Sequence, residues 1–289
     1  MTRATVAVIG GSGFYEMEGL TDIERVKVTT PFGDPSDTVT IGTIGGVRTA
    51  FLPRHGAGHR LTPSELPVRA NIWALKSLGV ERLISISAVG SLREELAPLH
   101  LVVPDQIIDR TRGRANTFFG GGIVAHVGFA DPFCHDLSAT LYQAALDAEA
   151  TVHRGGTYVV MEGPAFSTRA ESNLYRAWGA HIIGMTALPE AKLAREAEIC
   201  YATVACVTDY DCWHEIEEDV SADLILANLR KNVEVSKRIV RLALGRLASR
   251  ECGCANALAT ALVTPAEMAP EQVKRDLAPI LGKYMPTTR

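Results

Sequence analysis

Short apolar runs, each ended by glycine, proline or a polar residue, recur along most of the chain. Runs of this length that are rich in β-branched residues predict strands. Strands are expected at residues 4–9, 24–29, 38–43, 47–52, 82–88, 101–104, 155–161 and 200–207. In other segments the apolar residues return every three or four positions, which predicts helices. Helices are expected at residues 66–78, 136–149, 169–178, 186–198, 222–247 and about 265–281.

The order of these elements predicts an α/β fold, in which helices flank a mixed or largely parallel β-sheet. The first four strands follow one another without helices, so this half of the sheet is expected to be antiparallel or barrel-like. Thr168, with Glu171 three residues later, forms a capping box that predicts a helix start. Residues 1–247 are expected to form one domain, on which the linker and last helix of residues 248–289 pack.

Composition narrows the class of protein without defining it. The 289 residues suffice for one sizeable core, and the net charge of −4 provides no basic field for nucleic acid. No apolar run approaches the roughly 18 residues that cross a bilayer, and no targeting segment is visible. We therefore expect a cytoplasmic protein with a small-molecule ligand, and with neither nucleic acid nor a membrane as partner.

The six cysteines are spread along the chain, at positions 134, 200, 206, 212, 252 and 254. This distribution is typical of buried, reduced thiols in a cytosolic protein rather than of a disulfide framework. The exception is Cys252-Gly253-Cys254, since a C-x-C sequence can be an exposed redox pair. An ordinary surface loop explains the same three residues, and both interpretations stay open.

Several familiar motifs are absent or incomplete. The sequence VIGGSGF resembles a dinucleotide-binding turn, but the G-x-G-x-x-G spacing breaks at Glu16. Neither a P-loop nor a G-x-S-x-G nucleophile turn occurs. His55 and His59 have the spacing of two zinc ligands on one helical turn, but the two glycines between them argue against a helix and no third ligand is evident. No metal site is expected.

Small polar or cationic groups stand where several predicted elements end or begin. Because ligands gather at strand ends in α/β folds, and because helix N-termini attract anions, such groups predict an anion site. Arginine offers a bidentate fork and hydroxyls offer neutral donors, which together suit a phosphate dianion. Each residue alone also has a structural explanation, as a turn, a surface charge or a helix cap. The phosphate-binding set predicted here is Ser12, Arg54, His55, Ser87 and Thr186.

A second group of candidates lies in the sequence VTDYDCW, residues 207–213. Asp209 and Asp211 follow a strand that is expected to be buried. A carboxyl group beside an apolar wall has a raised pKa and can hold or donate a proton. The alternative is an ordinary aspartate turn before a helix. Phe166 could provide an aromatic face for a flat heterocycle.

Seven segments in a fixed order carry a specific resemblance. They are GGSGFY, TPFGDPSD, RHGAGH, SAVGSLREE, EGPAFSTRAE, GMTALPEAKLAREA and TDYDCW. Over about residues 5–245 the chain resembles the trimeric purine nucleoside phosphorylase family, and within it the enzymes that cleave methylthioadenosine. The resemblance implies the nucleoside phosphorylase fold, a twisted mixed sheet flanked by helices in a single domain. It also implies a homotrimer, or a dimer of trimers, that acts in purine and methionine salvage.

The reaction that the resemblance implies is the phosphorolysis of S-methyl-5′-thioadenosine to adenine and 5-methylthioribose 1-phosphate. The enzyme would be a pentosyltransferase with phosphate as co-substrate, without a metal or an organic cofactor. A 6-oxopurine phosphorylase, acting on methylthioinosine or inosine, is the alternative within the family. A nucleosidase that uses water and a non-catalytic nucleoside sensor are further alternatives, and the complete phosphate set argues against both.

Matching positions imply a role for each site residue. Besides the phosphate set, the resemblance implies Asp209 as the catalytic residue at purine N7 and Asp211 at the 6-amino group. Phe166 would stack on the purine, and the Met185 backbone amide would reach a ribose hydroxyl. The other substrate contacts implied are Ala88, then His126, which reaches the 5′ pocket of a neighbouring subunit, and Ala222 and Ile225, which line the methylthio pocket.

Two positions depart from the family pattern. Gly184 stands where some relatives have asparagine, which leaves one supporting hydrogen bond open. Ser87 stands where some relatives have threonine, so the hydroxyl is preserved.

Overall fold

Eleven strands form one sheet in the computed structural model, which describes residues 4–11, 17–214, 222–247 and 252–287. The strands are β1 (Val6–Gly10), β2 (Thr21–Val26), β3 (Val39–Ile44), β4 (Val47–Pro53), β5 (Arg82–Ser91), β6 (Leu101–Val103), β7 (Gln106–Arg110), β8 (Val152–Arg154), β9 (Thr157–Met161), β10 (Ile182–Gly184) and β11 (Cys200–Asp209).

Parallel strands form the centre of the sheet, in the order β4, β1, β5. Beyond β4 the sheet continues antiparallel through β3 to β2. Beyond β1 it branches at β5, which pairs in parallel with β11 along its length and in antiparallel with β10 at its end. β10 leads to β9 and β7, and β11 leads to β6 and β8. The carboxyl ends of β1, β4, β5 and β11 therefore lie at the same edge of the sheet.

Helices cover both faces of this sheet. They are α1 (Val68–Ser77), α2 (His135–Asp147), α3 (Arg169–Ala177), α4 (Ala187–Glu196), α5 (Ala222–Leu244), α6 (Glu271–Asp276) and α7 (Ala278–Leu281). Successive residues of β1 alternate between two apolar clusters, one shared with α1 and α4 and the other with α2 and α5. All ten residues of β11 are buried, because the strand is covered on both faces. Such a strand is mostly apolar along its length and does not alternate between apolar and polar residues.

The predicted fold class is confirmed, because a mixed sheet lies between helices in a single domain. All eight predicted strands are present, and β2–β3–β4 are antiparallel as expected. The prediction missed β7, β8 and β10, which are three to five residues long.

The first five predicted helices are also present, including the capping box at the start of α3. Thr168 Oγ1 accepts a hydrogen bond from Glu171 N at 3.2 Å, and Thr168 N donates to Glu171 Oε2 at 2.8 Å. The single helix predicted at 265–281 is wrong. The chain becomes helical only after Pro270 and is interrupted at Leu277, ahead of Pro279, because proline lacks the N–H that a continuous helix requires.

The described part of residues 248–289 lies against α1 and the loop before α2. Trp73 Nε1 donates to Asp276 O at 2.8 Å, and the segment's Leu258, Leu277 and Leu281 are buried in the cluster that contains α1. Among the described helices, none has the length and apolar character that crossing a membrane requires.

Candidate active site

The predicted phosphate residues belong to elements that meet at one edge of the sheet. Gly10, at the end of β1, pairs with Pro53 of β4, and Arg54 N donates to Gly10 O at 2.9 Å. Ser87 lies on β5, two residues beyond the partner of Ile9 in β1. Ser12 lies outside the described residues. Parallel register thus brings together segments that are far apart in the sequence.

Two of the predicted hydroxyls are in direct contact. Ser87 Oγ and Thr186 Oγ1 are 2.9 Å apart, and the Thr186 side chain makes no capping bond to α4. The Tyr158 hydroxyl lies beside them, buried and without a hydrogen-bond partner in the described part of the chain. Burial raises the pKa of Tyr158 to about 12, against smaller lowering effects of Arg54 and the two hydroxyls. Three neutral donors at the start of a helix suit an anion.

Arg54 is only 2% exposed, and its fork already has a carboxylate partner. Nε and Nη2 donate to the two carboxylate oxygens of Glu190, at 2.5 and 3.1 Å. Burial acts to lower the pKa of Arg54, but the Glu190 charge and hydrogen bonds outweigh it and raise the pKa. The sequence suggested this bidentate pairing for phosphate. In the structure, the bidentate partner is Glu190. Within the described residues, Arg54 Nη1 makes a single hydrogen bond, to Ile86 O at 2.9 Å.

His55 is held as a neutral hydrogen-bond acceptor. Its Nδ1 is 2.8 Å from Leu61 O, and because a carbonyl only accepts, Nδ1 carries the hydrogen and Nε2 keeps a lone pair. Burial, with contributions from Arg54 and His59, lowers the pKa of His55 to about 4. The His59 ring stacks on it at 4.1 Å, in a turn rather than the helix that two zinc ligands would need.

The low pKa of His55 predicts a pH dependence of stability. Between pH 6.5 and about 4 the unfolded chain binds a proton that the folded chain does not, so stability falls as the pH falls through this window. The His55→Gln variant should lose less stability between pH 7 and pH 4 than the unmodified chain, by on the order of 2 kcal/mol. Urea titrations at both pH values measure this difference. An exposed-site control, His135→Gln, should keep the original pH dependence, and an identical result for both variants would contradict a buried neutral His55.

Asp209 ends β11 and is buried, with 4% exposure. Oδ2 accepts from Thr208 Oγ1 at 2.6 Å, and Oδ1 accepts from Asp211 N at 2.8 Å. Burial raises the pKa of Asp209 and the neighbouring Asp211 carboxylate adds to this, against the two hydrogen bonds. Gly90 makes the close approach possible, since a Cβ there would lie 2.8 Å from Asp209 Oδ1. The site therefore favours the protonated form of this carboxyl group more than water does.

Asp211 is a second buried carboxyl group, in a turn with positive φ of 52°. Its Oδ2 has no hydrogen-bond partner among the described residues, although it is buried. Burial raises the pKa of Asp211, while the nearby Ser172 hydroxyl and the Cys212 amide oppose this. A buried acceptor without a partner suits a ligand N–H.

The loop that carries Phe166 lies against the same turn. Cys212 Sγ is 3.2 Å from Ser167 O, and Arg169 Nη1 donates to Cys212 O at 3.0 Å. Phe166 itself is 44% exposed, so its ring is accessible from solvent.

The other predicted substrate contacts are more scattered. Ala88 is half-buried on β5 beside Ser87, and Met185 directly precedes Thr186. His126 is exposed and joins the C-terminal segment through its backbone, where His126 N donates to Ala261 O at 2.9 Å. Ala222 and Ile225 lie in the first turns of α5, and their side chains are outside the described part of the structure.

Sequence reasoning missed three residues that shape the site. Glu190 could have been suspected, because a buried arginine needs a carboxylate partner. Arg114, in the glycine-rich loop 112–123, donates from Nη1 to the carbonyls of Met185 and Leu188 at 2.6 and 2.8 Å and so positions the start of α4. Tyr158 gave no signal, since a tyrosine in an apolar strand is ordinary core.

The structure also accounts for Gly184. A Cβ at this position would lie 2.4 Å from the Tyr158 hydroxyl oxygen, so that hydroxyl occupies the space a larger residue would need. Glycine at 184 and tyrosine at 158 are therefore coupled choices.

Known proteins resemble this chain over almost its whole length. A model described as the phosphorylase superfamily matches residues 5–245. The S-methyl-5′-thioadenosine phosphorylase of Geobacter sulfurreducens is 60% identical over 282 residues, which are 97% of this chain and 99% of the relative. The enzyme of that name from Gloeobacter violaceus is 58% identical, over 98% and 96% of the two chains.

Solved structures show the same likeness. A methylthioadenosine phosphorylase from an Antarctic soil metagenomic library has a TM-score of 0.93 and 52% identity, covering 97% of this chain and all of that one. Methylthioadenosine phosphorylase from Schistosoma mansoni, solved with adenine, has a TM-score of 0.83 and 37% identity, over 97% and 98% of the two chains. This chain therefore belongs to the phosphorylase superfamily, and within it to the S-methyl-5′-thioadenosine phosphorylase family that its sequence motifs predict.

Proposed function

We propose that this protein catalyses the phosphorolysis of S-methyl-5′-thioadenosine to adenine and 5-methylthioribose 1-phosphate. It would be a pentosyltransferase in purine and methionine salvage. The observation that carries the proposal is the buried carboxyl group of Asp209, on the strand next to the one that carries Ser87 of the phosphate-like donor set. That arrangement supplies a proton donor for a leaving base and a separate cradle for the attacking anion.

Phosphate is the co-substrate in this proposal. The hydroxyls of Ser87, Thr186 and Tyr158 would donate to its oxygens, while Arg54, whose charge is paired with Glu190, would contribute less to the anion than the sequence predicts. His55 Nε2, kept unprotonated by burial, would accept the one O–H that a phosphate dianion carries. No organic cofactor or catalytic metal is needed, since phosphate itself is the nucleophile.

Departure of the base is the difficult step. As the bond between the sugar and the purine lengthens, negative charge develops on the purine, and Asp209 would supply a proton or a hydrogen bond at N7. The phosphate held near C1′ would stabilise the cationic sugar and attack it. Asp211 Oδ2, a buried acceptor without a described partner, would accept from the 6-amino group.

The same acceptor argues against the alternative, a 6-oxopurine phosphorylase. A 6-oxo group needs a donor, whereas Asp211 Oδ2 would be an acceptor. The names of the relatives, at up to 60% identity, also point to methylthioadenosine.

The decisive assay follows adenine release from methylthioadenosine with and without phosphate. Release should depend on phosphate, because the anion is the nucleophile, and 5-methylthioribose 1-phosphate should form in equal amount. Methylthioinosine at the same concentration should react far more slowly. Adenine release that is equally fast in phosphate-free buffer would refute a phosphorylase and indicate hydrolysis by water.

A homotrimer is part of the same proposal. The loop that carries His126 joins residues 261–264, and exposed apolar side chains surround it: Val124, Val263 and Met268 are 46%, 61% and 72% exposed. Apolar patches of this kind are typical of surfaces that pack against other chains. Three His126 side chains would then each complete the 5′ pocket of a neighbour.

Light scattering tests the assembly. The expected mass is three times the 31.1 kDa of one chain, or six times for a dimer of trimers. An active species with the mass of one chain would contradict a shared 5′ pocket. We place the enzyme in the cytoplasm, where reducing conditions suit its six free cysteines.

A further inference from the structure

Four cysteines that are far apart in the sequence meet at one place in the fold. The thiol sulfurs of Cys134, Cys200, Cys252 and Cys254 all lie within 4.8 Å of one another. Cys134 is the N-cap of α2, Cys200 begins β11, and the last two flank Gly253 at a short 3₁₀ turn. The cluster lies at the opposite end of β11 from Asp209, so it is no part of the proposed catalytic site.

The C-x-C sequence does not stand alone, because its two thiols lie beside those of Cys134 and Cys200. Cys254 is 8% exposed, and Cys134 and Cys200 are 3% and 1% exposed. The cluster could not be recognised from the sequence, because its three segments approach one another only through the tertiary fold. The expectation of no metal site considered His55 and His59 alone as a ligand pair.

The spacing of the sulfurs is close to that of a tetrahedral metal site. Zn–S bonds of about 2.3 Å in a tetrahedron place sulfurs roughly 3.8 Å apart. The sulfurs of Cys200 and Cys252 are 3.2 Å apart, which is well beyond the roughly 2.05 Å of a disulfide. Small side-chain rotations would therefore bring all four sulfurs into the first coordination shell of one ion.

We propose that Cys134, Cys200, Cys252 and Cys254 bind a structural zinc ion. Four thiolates without an open position are the ligand set of closed, structural zinc sites. A divalent cation also resolves an electrostatic difficulty, since thiols packed this tightly compete to share hydrogens.

The ion would hold the C-terminal segment on the domain. Cys134 directly follows the loop of His126, and its amide donates to Tyr201 O at 2.7 Å. Cys252 and Cys254 begin the segment that pairs with the same loop, where Ala125 bridges to Leu262. Zinc would thus join β11 to both segments of the surface that carries His126, the loop before α2 and the C-terminal segment. Its role is to stabilise that surface rather than to take part in the reaction.

Metal content of the purified protein tests the proposal. The chain is produced without a metal-affinity tag, in medium that contains both zinc and iron, and is analysed by mass spectrometry of the elements after gel filtration. About one zinc per chain is expected. Cys254→Ser should retain less than about a tenth of this, because a closed site needs all four ligands. Cys206→Ser is the matched control: Cys206 is equally buried but lies beside Ser236, outside the cluster, and its zinc content should be unchanged.

Two further measurements keep the test decisive. If Cys254→Ser fails to fold, Cys252→Ser replaces it, since Cys252 is half-buried. In the unmodified protein, a chelator should lower the thermal midpoint by several degrees and added zinc should restore it. Zinc-free protein with six thiols open to alkylation would overturn the proposal. So would disulfides detected by intact mass, or iron in place of zinc.

Discussion

Asp209→Asn is expected to cleave methylthioadenosine about two to four orders of magnitude more slowly than the unmodified enzyme, which is the usual contribution of a general acid. Asparagine keeps the oxygen that accepts from Asp211 N but has no proton to give to N7. Thr208 Oγ1, which is also 3.2 Å from Val89 O, can turn to accept the new amide group, so the fold should be preserved. Single-turnover rates at saturating phosphate measure the effect on chemistry.

Two comparisons separate this role from a structural one. Asp22→Asn, at an exposed position of β2, should retain the full rate. A nucleoside whose leaving group needs no proton should lose much less activity in Asp209→Asn than methylthioadenosine does. If Asp209→Asn turns over methylthioadenosine at the original rate, Asp209 is only a turn residue and the proposed mechanism is wrong.

Arg54→Met is expected to lower the free energy of unfolding by about 3–5 kcal/mol, because it leaves the Glu190 carboxylate buried and without its charge partner. The expected loss of stability is large because Arg54 and Glu190 are each at most 2% exposed and form a bidentate pair. Urea titration at pH 7 measures it. Arg54→Met/Glu190→Leu should lose much less than the sum of the two single variants, since it removes both charges together.

A surface pair provides the matched control. Arg48 and Glu24 are 3.3 Å apart, but their side chains are 28% and 45% exposed. Arg48→Met should cost less than about 1 kcal/mol, because water screens the pair. Equal losses in the free energy of unfolding for Arg48→Met and Arg54→Met would show that the buried ion pair stabilises the fold no more than the exposed one. Arg54→Lys should also lose stability, because lysine keeps the charge but cannot make the bidentate pair with Glu190.

The elements that the sequence predicted well are those with a local signal. The buried run of β11 and the Thr168–Glu171 cap are written in consecutive residues, and both are present. The hydroxyls of Ser87 and Thr186 were grouped because both follow or begin a regular element, and they are in contact. β7, β8 and β10 were missed because their stability comes from neighbouring strands rather than from their own composition.

Partners across the fold could not be predicted in the same way. Arg54 was expected to bind an anion. Its guanidinium instead binds the carboxylate of Glu190, which is 136 positions away in the sequence. Tyr158 meets Gly184 and the hydroxyl pair only because β9 and β10 are adjacent.

The sequence by itself determined the α/β class, the strand ends that carry the candidate chemistry and the family to which the chain belongs, because each depends on residue types at short, regular spacing. Only the tertiary structure decided that the Arg54 guanidinium is paired with Glu190, that His55 is a neutral acceptor, and that four cysteines form one cluster. These features depend on which distant groups share a buried, weakly polar space. Burial sets both the pKa of a group and the need for a partner, and burial is a property of the whole fold.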